Sequence, residues 1–145
     1  MADSRLRWSR VKCPCCGYPT LREAGAYEIC ILCWWEDDGQ GEDEADVVRG
    51  GPNRNLSLMV ARANFEDHLT SYSVGHDTRI GGPDTREEIA AKRIIVERFQ
   101  RIRAGVTKAQ IDGIWKDIEA AETVLQAETD RKIREYEEHD TERPH

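Results

Sequence analysis

Apolar positions along this chain fall into two regimes. From Thr85 onward they recur at helical spacing, whereas before about residue 55 they come in short runs broken by cysteine, glycine and proline. Ile95, Phe99 and Ile102 share one helical stripe, and Ile111, Ile114, Ile118, Ala121 and Leu125 share another. Thr85-Arg86-Glu87-Glu88 and Thr107-Lys108-Ala109-Gln110 both have the form of a capping box. In each, the threonine hydroxyl accepts from the N–H three residues on, and the Glu or Gln side chain reaches back. With Gly105 as a stop, the pattern predicts a helix from Thr85 to about Ala104 and a second from Thr107, joined tightly into an antiparallel hairpin. Beyond Leu125 the stripe thins to Ile133 and Tyr136 while charge rises, so the chain is expected to protrude or fray from about Glu128. That spacing is too sparse to specify a coiled coil or a dimer.

Leu58, Ala61, Phe65 and either His68 or Leu69 lie on one face of a shorter amphipathic helix starting at Asn55 or Ser57. His68 reads as a surface or helix-end histidine. Between this helix and the hairpin, Gly75, Gly81, Gly82 and Pro83 mark a linker or irregular loop. The expected organisation is a module over residues 1–70, a linker over 71–84 and a helical hairpin over 85–145.

The first module has little periodicity and is organised by cysteine instead. Cys13 and Cys16 form one C-x2-C pair; Cys30 and Cys33, after a gap of thirteen residues, form a second. Two intervening residues let one turn of backbone aim both sulfurs at one metal ion, and two such pairs complete the tetrahedral shell of a structural zinc site. Pro14 fixes φ after the first ligand, and Gly17 permits the left-handed turn that points N–H groups at the sulfurs. Between the pairs, Thr20-Leu21-Arg22 and Ala26-Tyr27-Glu28-Ile29 are expected to form a hairpin around Gly25, as in a zinc ribbon. The fold class is therefore small α+β: a zinc-ribbon-like hairpin with a short helix, then a C-terminal antiparallel helical hairpin.

Composition sharpens this picture. Only 39% of residues are hydrophobic and 34% are charged, so a metal cross-link would offset a modest core. Five cysteines, an odd number, in a chain whose start lacks an apolar signal region suggest metal ligation in a reducing cytoplasm over disulfide pairing. No apolar run is long enough to cross a bilayer. The net charge of −7 argues against general affinity for phosphate backbones. Glu36, Asp37, Asp38, Glu42, Asp43, Glu44 and Asp46 concentrate seven negative charges in eleven residues, a solvated face or a contact patch for a basic partner. The run does not match the ligand alternation of an EF-hand. Trp34 and Trp35 either cap the ribbon or, with Glu36, Asp37, Asp38, Glu42 and Asp43, form the partner-binding surface.

Cys13-Pro14-Cys15-Cys16-Gly17-Tyr18, Tyr27-Glu28-Ile29-Cys30 and Cys33-Trp34-Trp35-Glu36-Asp37-Asp38 occur in an order that resembles the bacterial cysteine-rich CPCC family. Asn55-Leu56-Ser57-Leu58 and Ala61-Arg62-Ala63-Asn64-Phe65 extend the resemblance, which covers roughly residues 11–67. The resemblance implies a metal-binding, zinc-ribbon-like protein. Because some members sit beside bacterial toxin systems, it also implies an immunity role.

Three readings of function follow. The first is a non-enzymatic zinc protein that binds a protein partner, such as a basic toxin, through complementary charge. The second is a nucleic-acid-binding ribbon using Arg5, Arg7, Trp8, Arg10 and Lys12, a basic start that the acidic loop opposes. The third is a thiol enzyme centred on Cys15, the cysteine left over from the ligand set, whose bland alternative is a packed bystander. Four thiolates leave a zinc ion no open position, and the chain carries no phosphate loop, nucleophile elbow or H-E-x-x-H motif, so catalysis is not expected. Nothing in the sequence brings His68 or His76 to Cys15.

Overall fold

The computed structural model describes residues 4–142, and the chain divides into two units, Met1–His76 and Asp77–His145. The first unit holds α1 (Ser4–Ser9), β1 (Val11–Lys12), β2 (Pro19–Leu21) and α2 (Leu58–His68). The second holds α3 (Arg86–Ala104) and α4 (Lys108–Glu142). A small α+β molecule with an N-terminal hairpin, a short helix and a C-terminal helical pair is what the sequence pattern specifies.

The hairpin itself is placed differently from expectation. β1 and β2 pair antiparallel, Val11 with Leu21 and Lys12 with Pro19, so the ribbon flanks the first cysteine pair and does not link the two pairs. Ala26 to Ile29 does not pair with Thr20 to Arg22; Ile29 instead bridges Glu36 across the second cysteine pair. Each pair thus sits at the tip of its own short ribbon. Each cysteine turn closes its own ribbon through backbone bonds, the Cys13 N–H to the Tyr18 carbonyl and the Cys30 N–H to the Trp35 carbonyl. Asp37 reinforces the choice, its carboxylate accepting from the N–H groups of Gly25 at 2.6 Å and Gly39 at 3.2 Å.

α2 starts at Ser57, whose hydroxyl accepts from the Val60 N–H at 3.1 Å, and ends at Leu69 in the left-handed conformation. Leu58, Ala61 and Phe65 form its buried face, as their spacing predicts. Phe65 meets Tyr18 edge-on at 6.2 Å. Leu21, Leu32, Trp35 and Leu58 are fully buried and form the small core of this unit, each burial worth about 1.5–3 kcal/mol. Trp8 is 68% exposed.

In the second unit both expected capping boxes are present. Thr85 and Glu88 exchange bonds of 3.2 and 2.9 Å, and Thr107 and Gln110 bonds of 3.3 and 3.1 Å. Ile95 and Phe99 bury against Ile114, Ile118, Ala121 and Leu125, while Ile102 and Ile111 are half-buried at the margins. Trp115 joins this core through an edge-on contact with Phe99 at 5.6 Å.

From Glu128 onward the chain does not fray; α4 continues to Glu142 and is exposed over residues 134–140, the protruding outcome of the two expected. The irregular segment 77–84 is held in place by buried ion pairs. Arg79 pairs with Asp77 at 2.6 Å and Asp84 at 2.8 Å. Lys92 pairs with Asp84 at 2.7 Å, and Lys132 pairs with Glu88 at 2.6 Å while donating to the Pro83 carbonyl. Glu88, Lys92 and Lys132 occupy positions that charge alone assigns to solvent, yet each is buried with a partner. Gly81 lets Lys132 pass, since a Cβ there would lie 2.6 Å from its side chain.

Candidate metal centre

The two cysteine pairs adopt matching turns. The Cys13 N–H donates to the Tyr18 carbonyl and the Gly17 N–H to the Cys13 carbonyl. In the second turn Cys30 donates to Trp35 and Trp34 to Cys30 in the same register. The residue four after the first cysteine is left-handed in both, Gly17 with φ 76° and Trp34 with φ 69°. Glycine takes that conformation without penalty; for tryptophan it costs roughly 1–2 kcal/mol. The turns bring Cys13 Sγ to 3.6 Å from Cys33 Sγ and Cys16 Sγ to 3.8 Å from Cys30 Sγ. All four sulfurs lie within 4.8 Å of one another, so these four cysteines could hold a metal ion.

The surroundings suit anionic sulfur. Cys30 Sγ receives the Cys33 N–H at 3.4 Å and the Thr20 hydroxyl at 3.0 Å, and Cys33 Sγ receives the Trp35 N–H at 3.5 Å. Burial works against charge on Cys30, but hydrogen bonds from Cys13, Cys16, Cys33 and Thr20 outweigh it and hold its pKa well below the ordinary thiol range. Cys33 is pushed well up, first by burial and then by its cysteine neighbours. Cys16 is pushed up chiefly by its hydrogen bonds to Cys13 and Cys30. A divalent cation at the centre is what would let all four ionise together.

Second-layer contacts bind the rest of the unit to this cluster. Thr70 and Ser71 donate to the Cys33 carbonyl at 3.3 and 2.7 Å. Arg62, on α2, donates from Nε to the Pro14 carbonyl at 2.9 Å and forks onto Glu42. The guanidinium pKa is raised, first by the Glu42 hydrogen bond and further by the charges of Glu42, Cys15 and Cys13. Sequence reasoning gave Thr20, Arg62 and Thr70 no role at the metal centre. The Ala61-Arg62-Ala63-Asn64-Phe65 motif was the available signal for Arg62.

The residues expected to contact a partner separate by burial. Trp35 is fully buried, which fits the ribbon-capping alternative over the contact surface, and Asp37 is only 5% exposed, which corrects its assignment to that surface. Trp34, Glu36 and Asp38 are half-buried. Asn53 accepts from the Glu36 N–H and donates to its carbonyl, and Asp38 accepts from the Gln40 N–H. Glu42 and Asp43 are exposed. The acidic loop is stapled as well as solvated: the Gln40 amide donates to the carbonyls of Glu44 and Val47. Cys15 is buried, and His68 engages the Tyr72 carbonyl at 2.6 Å, consistent with a helix-end role. For the basic start, the Arg5 side chain lies outside the described residues; Arg7 and Arg10 are half-buried and Lys12 is exposed. Among the described residues no helix is long and apolar enough to cross a membrane.

Residues 11–77 match the family described as Cysteine-rich CPCC, a segment that contains both cysteine turns, the acidic loop and α2. No curated protein and no solved structure matches the chain significantly.

Proposed function

We propose, taking residues 11–77 as a cysteine-rich CPCC module, that its four cysteines hold a structural zinc ion and that the protein acts without catalysis, in a reducing cytoplasm, by binding a protein partner. The sulfur geometry carries this reading. Zn–S bonds of about 2.3 Å in a tetrahedron separate neighbouring sulfurs by about 3.8 Å. Cys13 and Cys33 are 3.6 Å apart here, and Cys16 and Cys30 are 3.8 Å apart. Four thiolates favour a soft-accepting ion such as zinc over magnesium or calcium. They also close the shell, which supports a structural ion over a catalytic one. The burial of Cys15 weighs against a thiol enzyme, since reactive cysteines are accessible.

What supports a partner is the exposed acid of Glu42, Asp43 and Asp46. Such a surface suits a basic protein, of which a toxin neutralised in an immunity complex is one case. Elemental analysis of freshly purified protein should give one zinc per chain, and substoichiometric metal of every kind would contradict the metal reading. A purified basic partner should bind in salt-sensitive fashion and lose affinity to Asp43→Lys with Asp46→Lys. Recovery of nucleic acid in place of protein would contradict the partner reading.

A further inference from the structure

Arg62 belongs to α2 but spends its donors on the first cysteine turn and the acidic loop. Its Nε holds the Pro14 carbonyl at 2.9 Å, between Cys13 and Cys15, while one Nη reaches Glu42 at 3.2 Å. The Arg62 side chain is 33% exposed and Glu42 is 78% exposed. A divalent ion bound by four thiolates carries a net charge of about −2, and a dianion out of water needs nearby positive charge or hydrogen-bond donors. The carbonyl contact anchors the guanidinium against the chain that carries Cys13, one of the four ligands.

We infer that Arg62 is a positioning residue of the metal centre, supplying positive charge to the tetrathiolate, and that Glu42 moderates it by drawing the guanidinium toward solvent. The inference rests on the metal reading above. It separates by sign from a reading in which Arg62 serves only to tie α2 to the acidic loop through Glu42. If Arg62 only ties α2 to the acidic loop, removing either end of the Arg62–Glu42 pair weakens the module alike. If its charge serves the thiolates, removing Glu42 leaves more of that charge for the sulfurs, and only loss of Arg62 weakens metal binding.

The test uses the full chain as wild type, Arg62→Gln, Arg62→Lys and Glu42→Gln, each loaded with zinc and titrated with a chromophoric chelator. Arg62→Gln should bind zinc about 10–100-fold more weakly, the range seen when outer-shell partners of metal ligands are removed. Arg62→Lys, which keeps the charge and loses the fork, should recover most of that loss, and Glu42→Gln should bind at least as tightly as wild type. An Arg62→Gln affinity equal to wild type, an Arg62→Lys as weak as Arg62→Gln, or a Glu42→Gln weakened to the same degree would each overturn the inference. Wild-type protein that holds no zinc would instead overturn the metal reading on which it stands.

Discussion

The two units meet the same shortage of apolar residues with different chemistry. In Met1–His76, regular structure is minimal, and a handful of buried apolar side chains surrounds four convergent sulfurs. Polar side chains such as Gln40, Asn53 and Arg62 then pin loops to backbone carbonyls. In Asp77–His145, two capped helices zip along an apolar stripe, and buried ion pairs extend the contact where the stripe runs out. The stability of the first unit should therefore follow metal occupancy, and that of the second the ionisation of its carboxylates. Two neighbouring stretches of one chain can depend on different solution variables.

The sharpest way to break this contrast is to remove a ligand. Cys13→Ser or Cys30→Ser should unfold the first unit, because metal binding in small cysteine modules contributes about 10–16 kcal/mol of apparent folding free energy. Amide NMR dispersion should collapse for residues of the first unit while α3 and α4 keep their helical signal. Retained dispersion in either variant contradicts the ligand assignment.

Next in size is Arg79→Met, which strips two buried carboxylates, Asp77 and Asp84, of a shared partner. Loss of one member of a buried pair costs about 3–5 kcal/mol. Thermal unfolding of the helical unit should shift strongly, with zinc content unchanged. Gly81→Ala should cost about 1–3 kcal/mol, since its Cβ would collide with Lys132 at a φ of +82° and push that amine from Glu88. A calorimetric melt that moves by less than its own error argues against a locked segment.

The smallest effect is the pH dependence. Burial opposes charge on Asp77, but Arg79 outweighs it and holds the carboxyl below its ordinary value of 3.8. A depressed carboxylate pKa contributes stability that is present above the unfolded pKa and lost as pH falls through the folded one. The helical unit should hold its stability from neutral pH to about pH 4 and lose it below, while Arg79→Met flattens that acid limb. Identical acid limbs in both proteins would show that the pair does not carry the dependence.

The helical pair was legible because caps and stripes are local signals: Thr85, Thr107, Ile95 and Leu125 specify their roles within a turn or two. Lys92, Glu88 and Lys132 were not, because a charged residue reads as surface until the partner that neutralises it, up to 44 residues away, is known. The four cysteines that converge were legible from spacing alone. The ribbon was misplaced because Thr20 and Leu21 have strand character in either pairing, and the choice rests on the backbone bonds of the two cysteine turns, Cys13 with Tyr18 and Cys30 with Trp35. Asp37 looked like surface because it stands in an acidic run; hydrogen bonds from Gly25 and Gly39 put it inside. Arg62 was visible only as part of a motif, its function set by a carbonyl 48 residues earlier.

Hydrogen exchange on the full chain, followed residue by residue while a strong chelator withdraws metal, tests the central claim most directly. The account predicts that protection vanishes across the two cysteine turns and α2 as zinc leaves, while α3 and α4 stay protected, and that zinc restores the loss at one ion per chain. Protection that persists through the cysteine turns after the metal is gone would show that the four sulfurs do not hold this module together.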